Sequence, residues 1–399
     1  MPVKIYSDCL YQRYLCRQLN KQYFPDVAVE AVPNGIIANE HANGYGVFTS
    51  DGEFVKSSFQ MHRHGTQKVP QIDMDNIPYV DKDVIFIGNA KNHFGHFILE
   101  HLNRAWALCG TQYHNMHIVL IDNLSLDSVP GYIYKFLELM GVGRERVIIL
   151  KQTTCFRNVF VPGQAYNMHT FVSDKYIDAF KFMAKNVPDA DVVYDRVYLS
   201  RDALSVGRTY GEKYVQSIFE QNGFHVVYPE KLSLENQIAL MKNCRVLAGC
   251  AGTALHMALF MPRGGTVIQI KRNKIKRDSA TSQYLINKCA GLKSVFVSGC
   301  IEKMRSAHSS NMPQVIGLNK HLRRFFNDNG YAYDKNLPVI DNVAWDEYNT
   351  ELQKYRDEFG SVFLNWLKRK FVRISSCMVI GRENRARYRR WMRKTLGCK

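Results

Sequence analysis

Tyr198-Leu199-Ser200-Arg201-Asp202, with Gly207-Arg208 shortly after, opens a stretch that runs through Leu247-Ala248-Gly249-Cys250-Ala251-Gly252-Thr253-Ala254-Leu255-His256 to Thr266-Val267-Ile268-Gln269-Ile270. Apolar runs of strand length at 197–200, 224–228, 245–249 and 266–270 alternate with helix-patterned segments at 211–222, 234–242 and 253–260. Gly223 is placed to end the first of these helices, and Ser233 to cap the second. Gly249 and Gly252 turn a strand into a helix beginning at Thr253, whose first N–H groups can hold a phosphate. Ligands of parallel sheets bind beyond the carboxyl ends of the strands, so Arg201, Arg208 and the 249–256 turn fall on one side of the predicted sheet. The forked donors of arginine suit a diphosphate, and Glu230, just past the 224–228 strand, can accept from a ribose hydroxyl. In the competing reading the two arginines are surface ion-pair partners and the glycines merely permit close packing.

Upstream, short apolar runs at 84–88, 117–121, 147–150 and 158–161 read as strands, with a helix over 95–108 and a further strand expected at 294–297. Strands alternating with helices imply crossover units and a largely parallel sheet. The first eighty residues read as short strands and turns, and Met61-His62-Arg63-His64-Gly65 carries no assignment. Asn186-Val187-Pro188-Asp189-Ala190-Asp191 is rich in breakers and marks the best domain boundary. A chain of 399 residues exceeds one ordinary core. The expectation is an α/β protein with an N-terminal α/β domain over 1–188, a Rossmann-like nucleotide-binding domain over 189–340, and helices with a basic amphipathic tail over 341–399.

Asn92-His93-Phe94-Gly95-His96-Phe97-Ile98-Leu99-Glu100-His101-Leu102-Asn103-Arg104 follows directly on the 84–88 strand. His96, Glu100 and Arg104 are four residues apart, which stacks them on one helix face with His93 a turn earlier. An imidazole beside a carboxylate supplies a general base and its orienting partner. The bland alternative is a Glu100–Arg104 ion pair with a capping histidine.

Composition narrows the classes. With 46% hydrophobic and 22% charged residues the chain is that of a folded protein. Of the net charge of +17, +11 resides in 362–399, where twelve Lys or Arg face the single acid Glu383. Ten cysteines are scattered without a Cys-x-x-Cys pair, the pattern expected of free thiols in a reducing cytosol. The N-terminus has no secretory signal pattern, and no apolar run is long enough for a spanning helix. Asp73-Met74-Asp75 and Asp189-Ala190-Asp191 match the letters of a metal-holding Asp-x-Asp, but neither ends an apolar strand, so no metal site is expected. Gly-x-Ser-x-Gly and Walker-type loops are absent, which disfavours acyl transfer and triphosphate hydrolysis.

The two segments together resemble the glycosyltransferase family 61 domain, whose first motif has the form Asn-Tyr-x-His-Phe-x-x-Glu/Asp-x-x-x-Arg. His96, Phe97, Glu100 and Arg104 match it, while His93 stands at the usual asparagine. Leu199-Ser200-Arg201 with Gly207-Arg208, Pro229-Glu230-Lys231-Leu232-Ser233, and Gly249, Gly252 and Leu255 match three later motifs. The resemblance spans roughly 84–272 and is closest to bacterial-type members concerned with polysaccharide or capsule synthesis. It implies a GT-B arrangement of two facing Rossmann-like domains and inverting transfer from a nucleotide sugar, taken as UDP-linked, without an essential metal or other cofactor. One departure concerns the last turn. Many eukaryotic members place histidine before its second glycine, where this chain has Ala251, and His256 is either a nearby substitute or a packing histidine.

On this reading His96, Glu100 and Arg104 are catalytic, whereas Arg201, Arg208, Glu230, Gly249, Gly252, Thr253 and His256 bind the donor. The alternative is a catalytically silent glycan- or nucleotide-binding scaffold in a surface-polysaccharide assembly complex. The tail intersperses Phe363, Trp366, Phe371, Val379, Ile380, Tyr388 and Trp391 among its cations, which suits an anionic membrane surface, where each nearby cation adds about 1 kcal/mol. A nucleic-acid arm needs fewer apolar residues, so nucleic acid is not the expected partner. The expected place is therefore cytoplasmic, peripheral on the inner membrane, with a polysaccharide or lipid-linked glycan as acceptor.

Overall fold

The computed structural model describes residues 2–40, 44–62, 65–66, 68–90, 94–122, 131–204, 208–273, 280–301, 313–359 and 362–397. The chain forms two compact units, one of Met1–Leu199, Val227–Gln269 and Ser279–Phe296, the other of Ser200–Val226, Ile270–Asp278 and Val297–Lys399.

The first unit holds two sheets. In one, the strands run in the order Tyr45–Phe48, Ile36–Asn39, Thr154–Pro162, Tyr79–Ala90, His117–Asp122 and Val147–Leu150, with Val29–Pro33 also paired to Thr154–Pro162. Its last four strands in that order are parallel, and the strands from the first fifty residues join antiparallel. The apolar run at 84–87 is buried on both faces, as parallel strands must be. Because side chains alternate along a strand, Ile85, Ile87, Ile118 and Leu120 enter the larger core, while Val84, Phe86, Val119 and Ile121 pack on the opposite face against Ile37, Tyr45 and Val47.

The second sheet runs Val3–Tyr6, Lys293–Ser298, Thr266–Lys271, Val246–Cys250, Arg196–Leu199 and His225–Val227, of which Lys293–Ser298, Thr266–Lys271 and His225–Val227 straddle the border of the unit. Arg196–Leu199 and Val246–Cys250 pair in parallel. Every strand expected from 197 to 297 is present. Short strands were expected in the first eighty residues, but not the place of Val3–Tyr6 at the edge of this sheet, since its partner lies almost three hundred residues away. One core serves both sheets: it joins Ile85 and Ile87 to Val197, Leu247 and Val267 through the helix Tyr176–Lys185, whose Phe180 ring meets Phe260 at 5.5 Å.

In the second unit Thr209–Tyr210 pairs in parallel with Gln314–Val315, and the helices Glu212–Gln221, Lys320–Asp328 and Asn342–Phe359 gather around them. Phe219, Phe224, Phe325, Phe326 and Tyr331 form an aromatic cluster with ring separations from 5.0 Å for Phe219–Phe224 to 6.2 Å for Phe219–Phe325. Gly223, at φ +81°, ends Glu212–Gln221. Ser233 Oγ accepts from Asn236 N at 3.1 Å and caps Leu234–Asn243 in the first unit. The chain closes with helices Val362–Ser375 and Arg382–Thr395.

Candidate active site

The segment expected to be one regular helix over 95–108 is three pieces: an α-turn Phe94–His96, a π-helix Phe97–His101 and a 3-10 helix Leu102–Cys109. A π-turn breaks the ordinary ladder and frees carbonyls that need other donors. Tyr176 Oη donates to Ile98 O at 2.9 Å, and Gln60 Nε2 and Asn103 Nδ2 donate to Glu100 O at 3.0 and 2.6 Å. Phe97, Ile98, Leu99 and Leu102 meanwhile bury in the core. Side chains from well outside the segment thus hold an irregular backbone, and irregular backbone of this kind concentrates at functional sites.

His96 and Glu100 do come together. His96 Nδ1 stands 2.5 Å from Glu100 Oε2, with the imidazole 24% exposed and the carboxylate 4%. A carboxylate accepts, so this bond places a proton on Nδ1 and leaves Nε2 as the nitrogen that can take another. Burial pushes the Tyr45 phenol well above its ordinary range; Arg104 opposes that shift and Glu100 adds to it, so the three groups share one electrostatic environment.

Arg104 lies elsewhere than on the expected stripe. The change from π to 3-10 winding rotates it into the interior, where its guanidinium is fully buried and donates to the carbonyls of Ser57 at 2.7 Å, Phe59 at 3.1 Å and Pro162. It also lies 5.7 Å from the centre of the Phe86 ring. Burial lowers its pKa to about 10, which leaves it charged at neutral pH. With its fork committed to three backbone carbonyls, Arg104 ties the 56–59 turn to the end of Thr154–Pro162, and a direct meeting with an acceptor is closed to it.

The glycine turn lies against the His96 segment. A Cβ on Gly249 would fall 2.8 Å from Leu199 O of the neighbouring strand, so the close strand approach requires glycine. Gly252 has extended backbone and leads into Thr253–Phe260, a 3-10 helix where an α-helix was expected. A Cβ on Gly95 would fall 2.7 Å from the Thr253 side chain. The residue before His96 is therefore packed on the first residue of that helix. His256 is buried, with Nδ1 3.1 Å from Gln283 Oε1. Gln283 Nε2 in turn donates to Leu255 O at 3.1 Å and to Asn287 Oδ1 at 2.9 Å, so the amide orientation is settled by a backbone carbonyl and His256 carries its proton on Nδ1. Glu230 sits exposed in the turn Pro229–Lys231.

In the second unit, Arg201 N donates to Glu212 Oε1 at 3.2 Å, and Glu212 is fully buried at the first turn of its helix. Arg208 pairs with Asp202 at 3.4 Å and Glu347 at 3.0 Å, and its guanidinium lies 5.0 Å from the centre of the Tyr210 ring. Arg272 Nη1 donates to Thr209 Oγ1 at 3.3 Å, adding an arginine the motif reading had passed over. His93 and Gly207 lie outside the described residues, as do Arg63 and His64.

Gln60, Tyr45 and Tyr176 were missed for a simple reason: each reaches the His96 segment from 40 to 80 positions away, and no local pattern announces it. Of the two Asp-x-Asp matches, Asp73 Oδ1 accepts from Asp75 N at 3.0 Å within its own turn, and Asp189 pairs with Lys242 at 2.7 Å. Among the described residues no group of three or more His, Cys, Asp or Glu is arranged to hold a metal ion. All nine described cysteines are free thiols.

Residues 94–268 match the family model described as Glycosyltransferase 61, a span that contains all ten residues singled out above. No curated protein matches the chain.

Proposed function

We propose, for a chain whose residues 94–268 place it in the glycosyltransferase 61 family, an inverting transfer of a sugar from a nucleotide-sugar donor to a hydroxyl of a polysaccharide or lipid-linked glycan. The observation that carries this reading is the His96–Glu100 pair at 2.5 Å on a segment whose Gly95 packs on Thr253 of the glycine turn. Buried Glu100 orients the imidazole through Nδ1, and His96 Nε2 takes the proton of the acceptor hydroxyl. The acceptor oxygen attacks the anomeric carbon from the face opposite the leaving group, the bond from that carbon to the phosphate oxygen breaks, and the nucleoside diphosphate departs with the electron pair. Neutralising the charge developing on that diphosphate is the role that the family resemblance, and not a shared geometry with His96, gives to Arg201 and Arg208, so this route makes no demand on a metal ion. Thr253 and the N–H groups at the start of its helix add donors of the same sign.

A UDP-linked donor and a place on the cytoplasmic face of a membrane, in polysaccharide or capsule synthesis, belong to the same proposal, whereas the one core shared by both sheets speaks against a GT-B-like division at 188/189. The donor and the pathway rest on the family resemblance, and the membrane placement on the basic terminal helices. Two measurements test it. A thermal-shift screen against UDP, GDP, CMP and their sugars is expected to raise the melting temperature with one nucleotide family. Glu100→Ala and Arg201→Ala are each expected to abolish most transfer, and near-normal turnover by both sinks the assignment. Donor binding with no turnover by the unaltered protein, across donors and acceptors, favours a silent scaffold instead.

A further inference from the structure

Val362–Ser375 and Arg382–Thr395 are joined by the turn Ser376–Met378 and pack on each other as a helical hairpin. Val372 and Ser376 are buried on its inner side, where Arg389 Nε donates to Ser376 Oγ at 2.8 Å. At about 100° per residue, Leu367, Phe371 and Ile374 fall within one narrow arc of the first helix, turned away from Val372. All three are exposed, Phe371 by 58%, and so are Met378 at 85% in the turn and Ile380 at 90% just after it. Trp391 is exposed on the second helix. On the same helical wheel Lys368 and Lys370 flank the stripe on either side, and Arg369, Arg373, Arg385, Arg387, Arg390, Arg393 and Lys394 are exposed nearby.

A contiguous apolar stripe in water marks an interaction surface. Its chemistry selects the partner. A second copy of the hairpin would bring two strongly cationic faces together with one acid, Glu383, in each. A nucleic acid would satisfy the cations and could stack bases on Phe371 or Trp391, but it would leave the aliphatic Leu367, Ile374, Met378 and Ile380 in water. The interface of an anionic bilayer satisfies both demands, since apolar side chains enter below the head groups while long cationic ones reach back to the phosphates. Among the described residues no helix is long and apolar enough to cross a membrane. We infer that this hairpin is an interfacial anchor for anionic lipid bilayers, with Leu367, Phe371, Ile374, Met378 and Ile380 as its inserted edge. Anchoring of this kind does not depend on sugar transfer; it deepens the membrane placement proposed above by assigning the residues that make the contact.

Co-sedimentation of the full-length protein with vesicles of phosphatidylcholine alone and of phosphatidylcholine mixed with phosphatidylglycerol tests it. Binding is expected to the mixed vesicles and to fall about tenfold or more in the quadruple variant Phe371→Ser, Ile374→Ser, Met378→Ser, Ile380→Ser, which keeps every charge. Arg369→Glu with Lys370→Glu and Arg373→Glu is expected to remove the preference for the anionic lipid. These side chains are exposed, so circular dichroism and transfer to a soluble acceptor are expected to stay unchanged, which separates loss of anchoring from loss of catalysis. Equal binding to both vesicle types, no effect of the serine variant, or tighter binding to single-stranded RNA than to the mixed vesicles overturns the inference.

Discussion

His96 and Glu100 hold each other across 2.5 Å inside the first unit with the carboxylate almost wholly buried, whereas Arg208 in the second unit is about one-third exposed and already shared by Asp202 and Glu347. The first arrangement is preorganised: on the proposed mechanism, base and orienter already stand in hydrogen-bond contact, with the carboxylate shielded from water. The second is an exchange site, because an anion that binds Arg208 has to compete with two carboxylates in a setting where water screens each contact. On the proposed mechanism the buried pair contributes to the rate and the exposed, shared arginine to affinity. Each side of that contrast can be broken separately.

The largest effect is expected from Glu100→Gln, which keeps the shape and removes the carboxylate that orients His96. Steady-state kinetics are expected to show kcat down by about 10²–10⁴ with KM little changed. A change confined to KM would move Glu100 from the chemistry to binding. Next comes Arg104→Leu, which orphans one buried and two part-buried carbonyls and is expected to cost about 3 kcal/mol or more of stability in denaturant unfolding. Arg104→Lys should rescue little, because a single ammonium cannot span the same three acceptors. If Arg104→Leu instead left stability intact and lowered kcat, the residue would belong with the dyad.

Gly95→Val is expected to cost about 1–3 kcal/mol through its clash with Thr253 and to lower transfer as well. Thr253→Ala should restore part of both, and strict additivity in that double-mutant cycle would refute the packing between His96's neighbour and the glycine turn. The smallest effects concern Arg208. Arg208→Ala should weaken donor binding about tenfold, while Glu347→Gln, which removes a competitor, should strengthen it a few-fold at low salt and by less at high salt. Isothermal titration reads both, and equal signs for the two variants would collapse the distinction between preorganised pair and exchange site.

The parts of the fold that could be read in advance were those with local signals. The strands at 84–88, 147–150, 197–200 and 266–270 are apolar runs of the right length, and Gly223 and Ser233 punctuate helices by backbone chemistry confined to a few residues. The winding of 94–109 was not readable, since a π-turn and a 3-10 turn share the composition of an α-helix and differ in which donors reach their carbonyls. Those donors are Tyr176, Gln60 and Asn103, and two of the three come from distant segments. Arg104 illustrates the consequence: four-residue spacing placed it beside Glu100, and a change in helical pitch sent its guanidinium to Ser57, Phe59 and Pro162 instead.

By itself the sequence determined the alternation of strands and helices, the order of the four motifs and the closeness of His96 to Glu100, because each depends on residues within a turn or two of one another. Tertiary structure alone decided that Gly95 meets Thr253, that Arg104 is a buried brace, that Arg208 is shared by Asp202 and Glu347, and that Phe371 and Ile374 face outward. Apart from Asp202, six residues from Arg208, each of these depends on how segments far apart in the chain pack. Their competition for space and hydrogen-bonding groups is settled only when the chain has packed.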